Sequence, residues 1–501
     1  MNPPETLRTD TVRHAFLLAT VAAVALGAPA AVMAQTAPVS APGHADAEAA
    51  YRDMAQSRFA EAAVAAARAV EAAPDNLDWR LLLSDARTAA GDPAGALSAL
   101  QPVAGAWDHR VQSRRAEAAR AAGDLAQAEE AYALAAPLAP TAEQRAYLSR
   151  ARIQVLVQQG RRAEARAALN TAHDTGVLPG DAPLDFAYVA VATGEDRLAV
   201  QAFATADAAT PLRGAQALDA AYAARRAGAD RTAVAWLEQG ARTLDPAELT
   251  PQRRHEIGRE IQTLEHRVGG TVSVLTGPST ASSALVASPD DSTTQAGAEA
   301  WVRLGGDNNG RPVQAFVRAY QTLDSDTGPV GGDSTQAWVG LRWKPLTQTN
   351  LVVEASRMIA VGDAARDDTA IRAAWSAETG NDLRYDRDSW PSARVYVDAT
   401  RLLEDQQTFA VADGSIGWTW VASSDRKSQL SAGVGVRADY DSARADTVSV
   451  AAGPRLALRR WIGGSDLRAP DRYVDVSVGY DVQIGDSPRD DGLVAAITFG
   501  F

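Results

Sequence analysis

The sequence "DGLVAAITFGF", residues 491–501, alternates between two kinds of side chain up to its last residue. Every second position is apolar: Leu493, Ala495, Ile497, Phe499 and Phe501. The positions between them carry Val494, Ala496, Thr498 and Gly500. A period of two residues indicates a β-strand with two different faces. The stretch therefore predicts a β-strand with one strongly apolar face and one face of small side chains, and this strand ends on an aromatic residue.

The same alternation continues through residues 270–501. Clear examples are residues 313–320, 336–343, 429–440 and 472–485. Turn residues separate about twelve such runs, and many are close to the 9–11 residues of a tilted transmembrane strand. An even number of strands is typical of a closed antiparallel barrel in a membrane. The predicted fold is thus a transmembrane β-barrel of about twelve strands after a helical half.

A water-soluble β-sandwich also alternates, so it remains the alternative. Transmembrane barrels carry girdles of aromatic residues at both membrane interfaces, so many tryptophans in this half favour a membrane barrel. Eight of the eleven tryptophans lie here: Trp301, Trp338, Trp343, Trp375, Trp390, Trp418, Trp420 and Trp461. The final aromatic strand resembles the signal that the bacterial barrel-assembly machinery recognises. The candidate assembly signal is Ile497, Phe499 and Phe501.

Residues 1–34 have the features of a secretory signal peptide. Arg8 and Arg13 precede the apolar run 15–26, and small residues follow up to Ala34. An uncleaved anchor is the alternative, but the run is shorter than the ~20 residues of a membrane-spanning helix. We therefore expect that the mature protein is exported from the cytoplasm and that any membrane span in it is a β-structure. Residues 35–44 are read as a linker.

Residues 45–250 repeat one phrase about every 34 residues, the period of the tetratricopeptide (TPR) helix-turn-helix unit. The phrase starts with Ser57, Gly91, Gly123, Gly160, Gly194 or Gly228, and an alanine follows five positions later: Ala62, Ala96, Ala128, Ala165, Ala199 or Ala233. Glycine permits a tight turn, and alanine permits close helix approach. The segment predicts about six repeats that stack into a solenoid with a concave binding face. The alternative is that the repeats are only a spacer. Residues 251–268 predict a connecting helix, and residues 269–501 the barrel.

Composition argues against several functions. The net charge of −13 disfavours nucleic acid as a partner. There is no cysteine, and all six histidines precede residue 270. His-assisted nucleophilic chemistry in the barrel and a transition-metal site are therefore not expected. The carboxylate pair Asp367–Asp368 lies at a predicted turn, where solvation or calcium binding is the ordinary interpretation. The sequence predicts no enzyme activity and no cofactor.

Several stretches resemble the C-terminal domain of the NfrA family, the outer-membrane adsorption protein A of bacteriophage N-four. They are "TQAGAEAWVR" (294–303), "TQAWVGLRWKPL" (335–346), "DDTAIRAAWSAETGNDLRYDRDSW" (367–390), "ADYDSARADTVSVAAGPRLALRRWIG" (438–463) and "RYVDVSVGYDVQIGDSPRDDGLVAAITF" (472–499). The resemblance covers nearly all of residues 265–501 and keeps its order. It implies periplasmic TPR repeats joined to an outer-membrane barrel, export of an exopolysaccharide made by an inner-membrane synthase, and use of the surface face by a phage as receptor.

Charged residues of both signs fall on the polar face of the predicted strands. The pore-lining candidates are Arg303, Arg318, Arg342, Arg372, Arg437, Asp439, Asp475 and Asp481. A mixed lining could give a hydrated path for a sugar polymer, or the charges could pair across the barrel and plug it. The sequence thus supports two hypotheses. One is a binding-and-transport protein with a polysaccharide or a synthase complex as partner, and the other is a non-conducting scaffold or phage receptor.

Overall fold

A computed structural model describes residues 42–179, 182–278, 292–326, 328–443, 448–485 and 490–501. The predicted signal peptide, residues 1–34, lies outside the described residues, as do residues 35–41 of the predicted linker. The described chain divides into two compact units, one up to Pro211 and one from Leu212 to Phe501. Among the described helices, none combines the length and the apolar character required to cross a bilayer.

The described residues of the first unit form five helix pairs. The helices are α1 (His44–Ala55), α2 (Phe59–Ala72), α3 (Leu77–Ala89), α4 (Pro93–Leu100), α5 (His109–Ala121), α6 (Leu125–Leu138), α7 (Ala142–Gln158), α8 (Arg162–Asp174), α9 (Pro183–Thr193) and α10 (Asp196–Ala209). Successive helices pack against one another. The side chains of Asp92 and Asp124 accept hydrogen bonds from the N–H groups of Gly95 and Gln127, at 2.9 and 3.0 Å, and so begin α4 and α6.

The repeat phrase maps onto the turn within each helix pair. The five glycines have φ between 76° and 81°, and Ser57, the first member of the series, has a φ of 58°. This left-handed backbone suits glycine because it carries no Cβ. The alanines five positions later are fully buried, and the bulky residues four positions beyond, such as Tyr132 and Phe203, are buried beside them. The predicted TPR-like packing is confirmed.

Replacing a repeat alanine by a larger residue should destabilise the helices. Ala128 is completely buried in α6, so Ala128→Leu forces three extra carbon atoms between packed helices and should cost about 1–3 kcal/mol. Thermal unfolding followed by helical circular dichroism measures the loss. Ala126→Leu, at an exposed position of the same helix, is the matched control and should change stability by less than about 0.5 kcal/mol. Equal effects of the two substitutions would contradict the packing role.

The second unit begins with three helices and continues as a barrel. The helices are α11 (Ala215–Arg226), α12 (Asp230–Thr243) and α13 (Pro251–Glu265). The strands are β1 (Val268–Gly277), β2 (Thr293–Leu304), β3 (Val313–Ser325), β4 (Gln336–Trp343), β5 (Asn350–Ala360), β6 (Asp368–Thr379), β7 (Ser389–Leu402), β8 (Thr408–Val421), β9 (Ser428–Asp441), β10 (Val448–Ile462), β11 (Arg472–Gln483) and β12 (Gly492–Gly500).

Each strand pairs antiparallel with its sequence neighbours, and β1 pairs with β12, so the sheet closes into a twelve-strand barrel. The predicted strand number and antiparallel arrangement are confirmed. One end of the barrel holds the start of β1 and the end of β12, and we call it the helix-side mouth because α13 leads into β1. The opposite end is called the far rim.

Candidate functional site

The outer face of the barrel carries a continuous apolar surface. Its most exposed member, Ile416 in the middle of β8, is 71% exposed, and Val434 and Ile497 on β9 and β12 are also exposed. The alternating residues on the same strands turn inward. Monomeric proteins in water rarely expose so many large apolar side chains together. A barrel satisfies its backbone hydrogen bonds internally, so this outer face is suited to lipid.

Only some of the tryptophans of the barrel lie on this outer face. Trp343, Trp375, Trp418 and Trp420 are exposed on it. Trp338, Trp390 and Trp461 are buried, and Trp301 lies on the same inward face of β2 as Arg303. Only four of the eight tryptophans that favoured aromatic girdles therefore lie on the outer face. The physical reason is that an indole fills the interior and can satisfy its N–H there, as Trp390 does by donating to the carbonyl of Gly380 at 2.7 Å.

Large inward side chains lie flat against the wall over glycines. A Cβ on Gly297 would come within 2.5 Å of the Tyr320 ring on the neighbouring strand. A Cβ on Gly340 would similarly meet the ring of Phe316 at 2.8 Å. The glycines therefore provide sockets for these rings. Because the rings follow the wall, a bulky residue need not extend across the whole interior.

A chain of ion pairs runs across the inner face of β2 to β7. Arg318 pairs with Glu299 at 2.7 Å and with Glu354 at 3.2 Å, and Arg372 pairs with Glu354 at 3.2 Å and with Asp398 at 3.1 Å. Arg342 joins the other end of the chain by pairing with Glu299 at 2.6 Å. Glu354, at its centre, is only 3% exposed. Each arginine is held by carboxylates, so the chain has little net charge to offer a ligand.

An apolar cluster lies on the same side, towards the far rim. It consists of Phe316, Trp338, Met358, Ala370, Leu402 and Phe409. Asp368, beside Ala370, is fully buried and accepts hydrogen bonds from the backbone N–H groups of Thr369, Leu403, Glu404 and Asp405. The sequence-based interpretation of Asp368 as a solvated surface residue is therefore wrong. The carboxylate orders the turn between β7 and β8 instead.

The inner wall formed by β8 to β12 differs from the β3–β6 wall. Small residues occupy much of it and remain partly accessible to water: Ser415, Gly433, Ala457, Ser477, Ala496 and Thr498. Arg394 on the inner face of β7 is half-exposed although it pairs with Asp413 at 2.8 Å. Arg459 pairs with Asp475 at 2.9 Å and Arg455 pairs with Asp481. The interior is thus filled along β3 to β6 and partly accessible to water in the middle of β7 to β12. At the two ends of these later strands, Leu402, Phe409, Trp390 and Trp461 are buried.

The eight pore-lining candidates all fall on the inward faces of their strands. Arg318, Arg342 and Arg372 belong to the ion-pair chain. Asp475 and Asp481 lie on the inner face of β11, where Asp475 is partly exposed and Asp481 is buried. Arg437 and Asp439 lie on β9, where Asp439 is buried. Arg303 differs, because it donates to the carbonyl of Thr263 in α13 at 2.8 Å. The partners of these candidates were not predicted from the sequence, although the same alternation places them inward: Glu299, Glu354, Asp398, Arg455 and Arg459.

Helices α11 to α13 contact the helix-side mouth through three turns. In the β2–β3 turn, the N–H of Asp307 donates to Asp230 of α12 at 2.6 Å. In the β6–β7 turn, Asp382 contacts His255 of α13 at 3.3 Å and Arg259 of α13 at 3.1 Å. In the β10–β11 turn, Arg468 pairs with Glu265 at the end of α13.

Arg468 and Asp382 are the charged centres of these contacts. Arg468 pairs with Glu265 at 2.7 Å and with Glu238 at 2.8 Å, and the hydrogen bond to Glu265 is the main reason that the pKa of Arg468 is raised. Burial works to raise the pKa of Asp382, but the hydrogen bond from His255 and the charge of Arg259 outweigh it and lower that pKa below its ordinary value. Both groups are therefore charged over the whole physiological pH range.

The last residue closes the barrel. The Phe501 N–H donates to the carbonyl of Gly270 at 3.1 Å, and the Gly270 N–H donates to the carbonyl of Phe501 at 3.0 Å. The Phe501 ring stacks on Phe499 with centroids 5.8 Å apart, and both rings, like Ile497, are on the outer face. Phe501 is thus part of the seam between β1 and β12.

Deletion of Phe501 should impair assembly of the barrel. The deletion removes both hydrogen bonds to Gly270 at the helix-side end of the seam, as well as the aromatic residue of the candidate assembly signal. The fraction of the chain recovered in the outer membrane measures the effect, and Phe501→Tyr, which keeps the backbone and the ring, is the control. The helices up to Pro211 should remain folded, as limited proteolysis can check. Normal recovery of the deletion variant would contradict the prediction.

Among the described residues, no group of histidine and carboxylate side chains is arranged to hold a metal ion. The architecture and the apolar outer face define the class of the protein. It is an outer-membrane TPR and β-barrel protein.

Comparison with known families agrees with this class. Residues 327–497 match the family model described as "Bacteriophage N adsorption protein A C-term". The resemblance predicted from the sequence is confirmed over these residues. No curated protein matches the chain significantly.

Solved structures resemble each half separately. A tetratricopeptide repeat protein from Parabacteroides merdae is 16% identical, with a TM-score of 0.33, and the match covers 44% of this chain and 85% of that protein. An outer membrane channel from Pseudomonas putida F1 is 11% identical, with a TM-score of 0.28, and the match covers 47% of this chain and 94% of that protein.

Proposed function

We propose that the protein exports an exopolysaccharide across the outer membrane, with its N-terminal helices in the periplasm. The observation that carries the proposal is the asymmetric barrel interior. The β7–β12 side offers small side chains, hydroxyl groups and paired charges that remain accessible to water. Such a lining hydrates a sugar polymer without binding it tightly.

The paired charges of the barrel interior also favour a polymer of low net charge. Arg394, Arg455 and Arg459 each have a carboxylate partner on a neighbouring strand. A lumen that binds a polyanion is instead expected to present unpaired arginine or lysine. We therefore propose a polymer of low net charge, and a periplasmic role for the TPR-like helices in binding this polymer or its inner-membrane synthase complex. The barrel-assembly machinery is the proposed partner during insertion.

A non-conducting scaffold or phage receptor is the second candidate. The ion-pair chain and the apolar cluster favour it, because they fill the β3–β6 side of the interior. In this alternative the barrel only anchors the helices, and a phage uses the face at the far rim. Both candidates are non-catalytic.

A deletion strain distinguishes the two candidates. Export predicts that loss of the gene abolishes extracellular polysaccharide while polymer accumulates in the periplasm, and that the full-length gene restores secretion. A complementing gene with Ser477→Trp, which places a large side chain on the water-accessible wall, should restore the protein in the membrane but not full secretion. Thr369→Trp on the outward face of β6 is the control and should restore both. Unchanged secretion in the deletion strain would contradict the export proposal.

A further inference from the structure

The length of α13 matches the width of the barrel. Twelve strands about 4.8 Å apart and tilted by about 40° form a barrel about 24 Å across. The fifteen residues of α13 form a helix about 22 Å long. A helix of this length is sufficient to reach from one side of the mouth to the other.

The contacts of α13 are with opposite parts of the mouth. At its start, Gln252 accepts a hydrogen bond from the N–H of Tyr385 in the β6–β7 turn at 2.8 Å, and Arg254 pairs with Asp466 in the β10–β11 turn. At its end, the carbonyls of Thr263 and Leu264 accept from Arg303 on β2, at 2.8 and 3.4 Å. Since β2 and the β6–β7 turn are four to five strands apart in a ring of twelve, α13 crosses the opening.

The middle of α13 bridges the two turns. Arg259 pairs with Asp382 at 3.1 Å and donates to the carbonyl of Pro470 at 3.2 Å. Gly258 lies so close to the β10–β11 turn that a Cβ there would come within 2.8 Å of the Ala469 nitrogen. No side chain separates the helix backbone from the turn at this point.

Aromatic residues of the barrel lie directly beneath the helix. The Arg259 guanidinium is 5.2 Å from the centre of the Trp461 ring, on the inner face of β10. His266, just after α13, stacks on Trp301 of β2 with centroids 5.3 Å apart. Trp461 and Trp301 face the interior and so cannot belong to an aromatic girdle, and these contacts give them a different role. One indole thus contacts a side chain of α13, and the other contacts the residue that follows it.

The contacts to the barrel turns are mainly polar. Asp382, Asp466 and Arg468 keep at least a third of their side-chain surface exposed. Ion pairs with this exposure contribute little individually. The apolar residues of α13, namely Ile257, Ile261 and Leu264, are buried, and α13 packs against α12. The helix is therefore packed against α12, and most of its identified contacts to the barrel turns are polar.

We propose that α13 is a latch that closes the helix-side mouth of the barrel and opens when α11 to α13 move away together. The proposal rests on the export function, for which a closed resting state prevents leakage. Binding of a partner or of polymer to the repeats would release the polar contacts and uncover the water-accessible wall. The latch thus couples the state of the helices to that of the barrel.

Planar-bilayer conductance of the purified full-length protein tests the latch. The unlatched variant Asp382→Asn/Arg468→Gln removes the charged centres of two turns and should raise the open fraction by about tenfold over the wild type. The matched control, Arg357→Gln/Glu404→Gln, removes an exposed ion pair at the far rim and should leave the open fraction unchanged. Heat-shifted gel mobility verifies that each barrel is folded.

A crosslink gives an independent test. The native chain contains no cysteine, so Arg254→Cys/Asp466→Cys joined by a short bis-maleimide fixes α13 to the β10–β11 turn. The crosslinked unlatched protein should return to the closed state, whereas the same protein without crosslinker should conduct. Equal open fractions for wild-type and unlatched proteins, or conduction through the crosslinked protein, would overturn the latch. Opening of the unlatched protein together with normal secretion in the deletion strain would support the latch and contradict only the export function.

Discussion

Glu354→Ala should lower the free energy of unfolding of the barrel by about 3–5 kcal/mol. The Glu354 carboxylate is 3% exposed and accepts hydrogen bonds from both Arg318 and Arg372. Removing it leaves two guanidinium groups inside the barrel with one carboxylate partner each. The cost is large because the three arginines of the chain then share two carboxylates, which leaves one positive charge inside the barrel uncompensated.

The effect is measured as the shift in thermal or urea unfolding of the detergent-solubilised barrel, followed by gel mobility. Glu404→Ala is the matched control, since Glu404 pairs with Arg357 at the exposed far rim. That substitution should cost no more than about 1 kcal/mol. If the two variants unfold at the same temperature or urea concentration, the ion-pair chain does not stabilise the barrel interior.

Ile416→Arg should lower the stability of the membrane-inserted barrel by about 2–4 kcal/mol. Ile416 lies in the middle of β8 and is 71% exposed on the outer face. In lipid, the guanidinium must leave water or distort the bilayer. In a water-soluble barrel, the same substitution at an exposed position should change stability by less than about 0.5 kcal/mol.

Leu403→Arg controls for the charge itself. Leu403 is exposed in the turn between β7 and β8, beyond the ends of the strands. The control should therefore be close to neutral in either environment. Urea unfolding in lipid vesicles compares the variants, and an Ile416→Arg protein as stable as Leu403→Arg would contradict the membrane-facing assignment.

The sequence predicts those parts of the fold in which residue types recur at a regular spacing. The spacing from Gly123 to Ala128 recurs because each repeat needs the same turn and the same close approach, and both residues have these roles in the structure. Alternation along β11 likewise separates outward Val476 from inward Asp475, since successive side chains of a strand point to opposite faces. These predictions depend on local geometry, which the sequence pattern contains.

The remaining features depend on contacts between residues distant in the sequence. Arg468 and Glu265 are 203 positions apart, and no period relates a turn residue to a helix residue. Trp461 is of the residue type that forms aromatic girdles, but it lies on the inward face of β10 and is buried there. The partners within the ion-pair chain require the strand register, which alternation alone does not give. The latch was therefore not predictable from the sequence.

Membrane fractionation with heat-modifiable gel mobility tests the central claim most directly. We expect that the protein stays in the outer-membrane fraction after carbonate extraction, requires detergent for solubility, and changes gel mobility when it is boiled. These properties follow from a closed barrel with an apolar outer face. Recovery in the aqueous phase without detergent, with the same mobility before and after boiling, would contradict it.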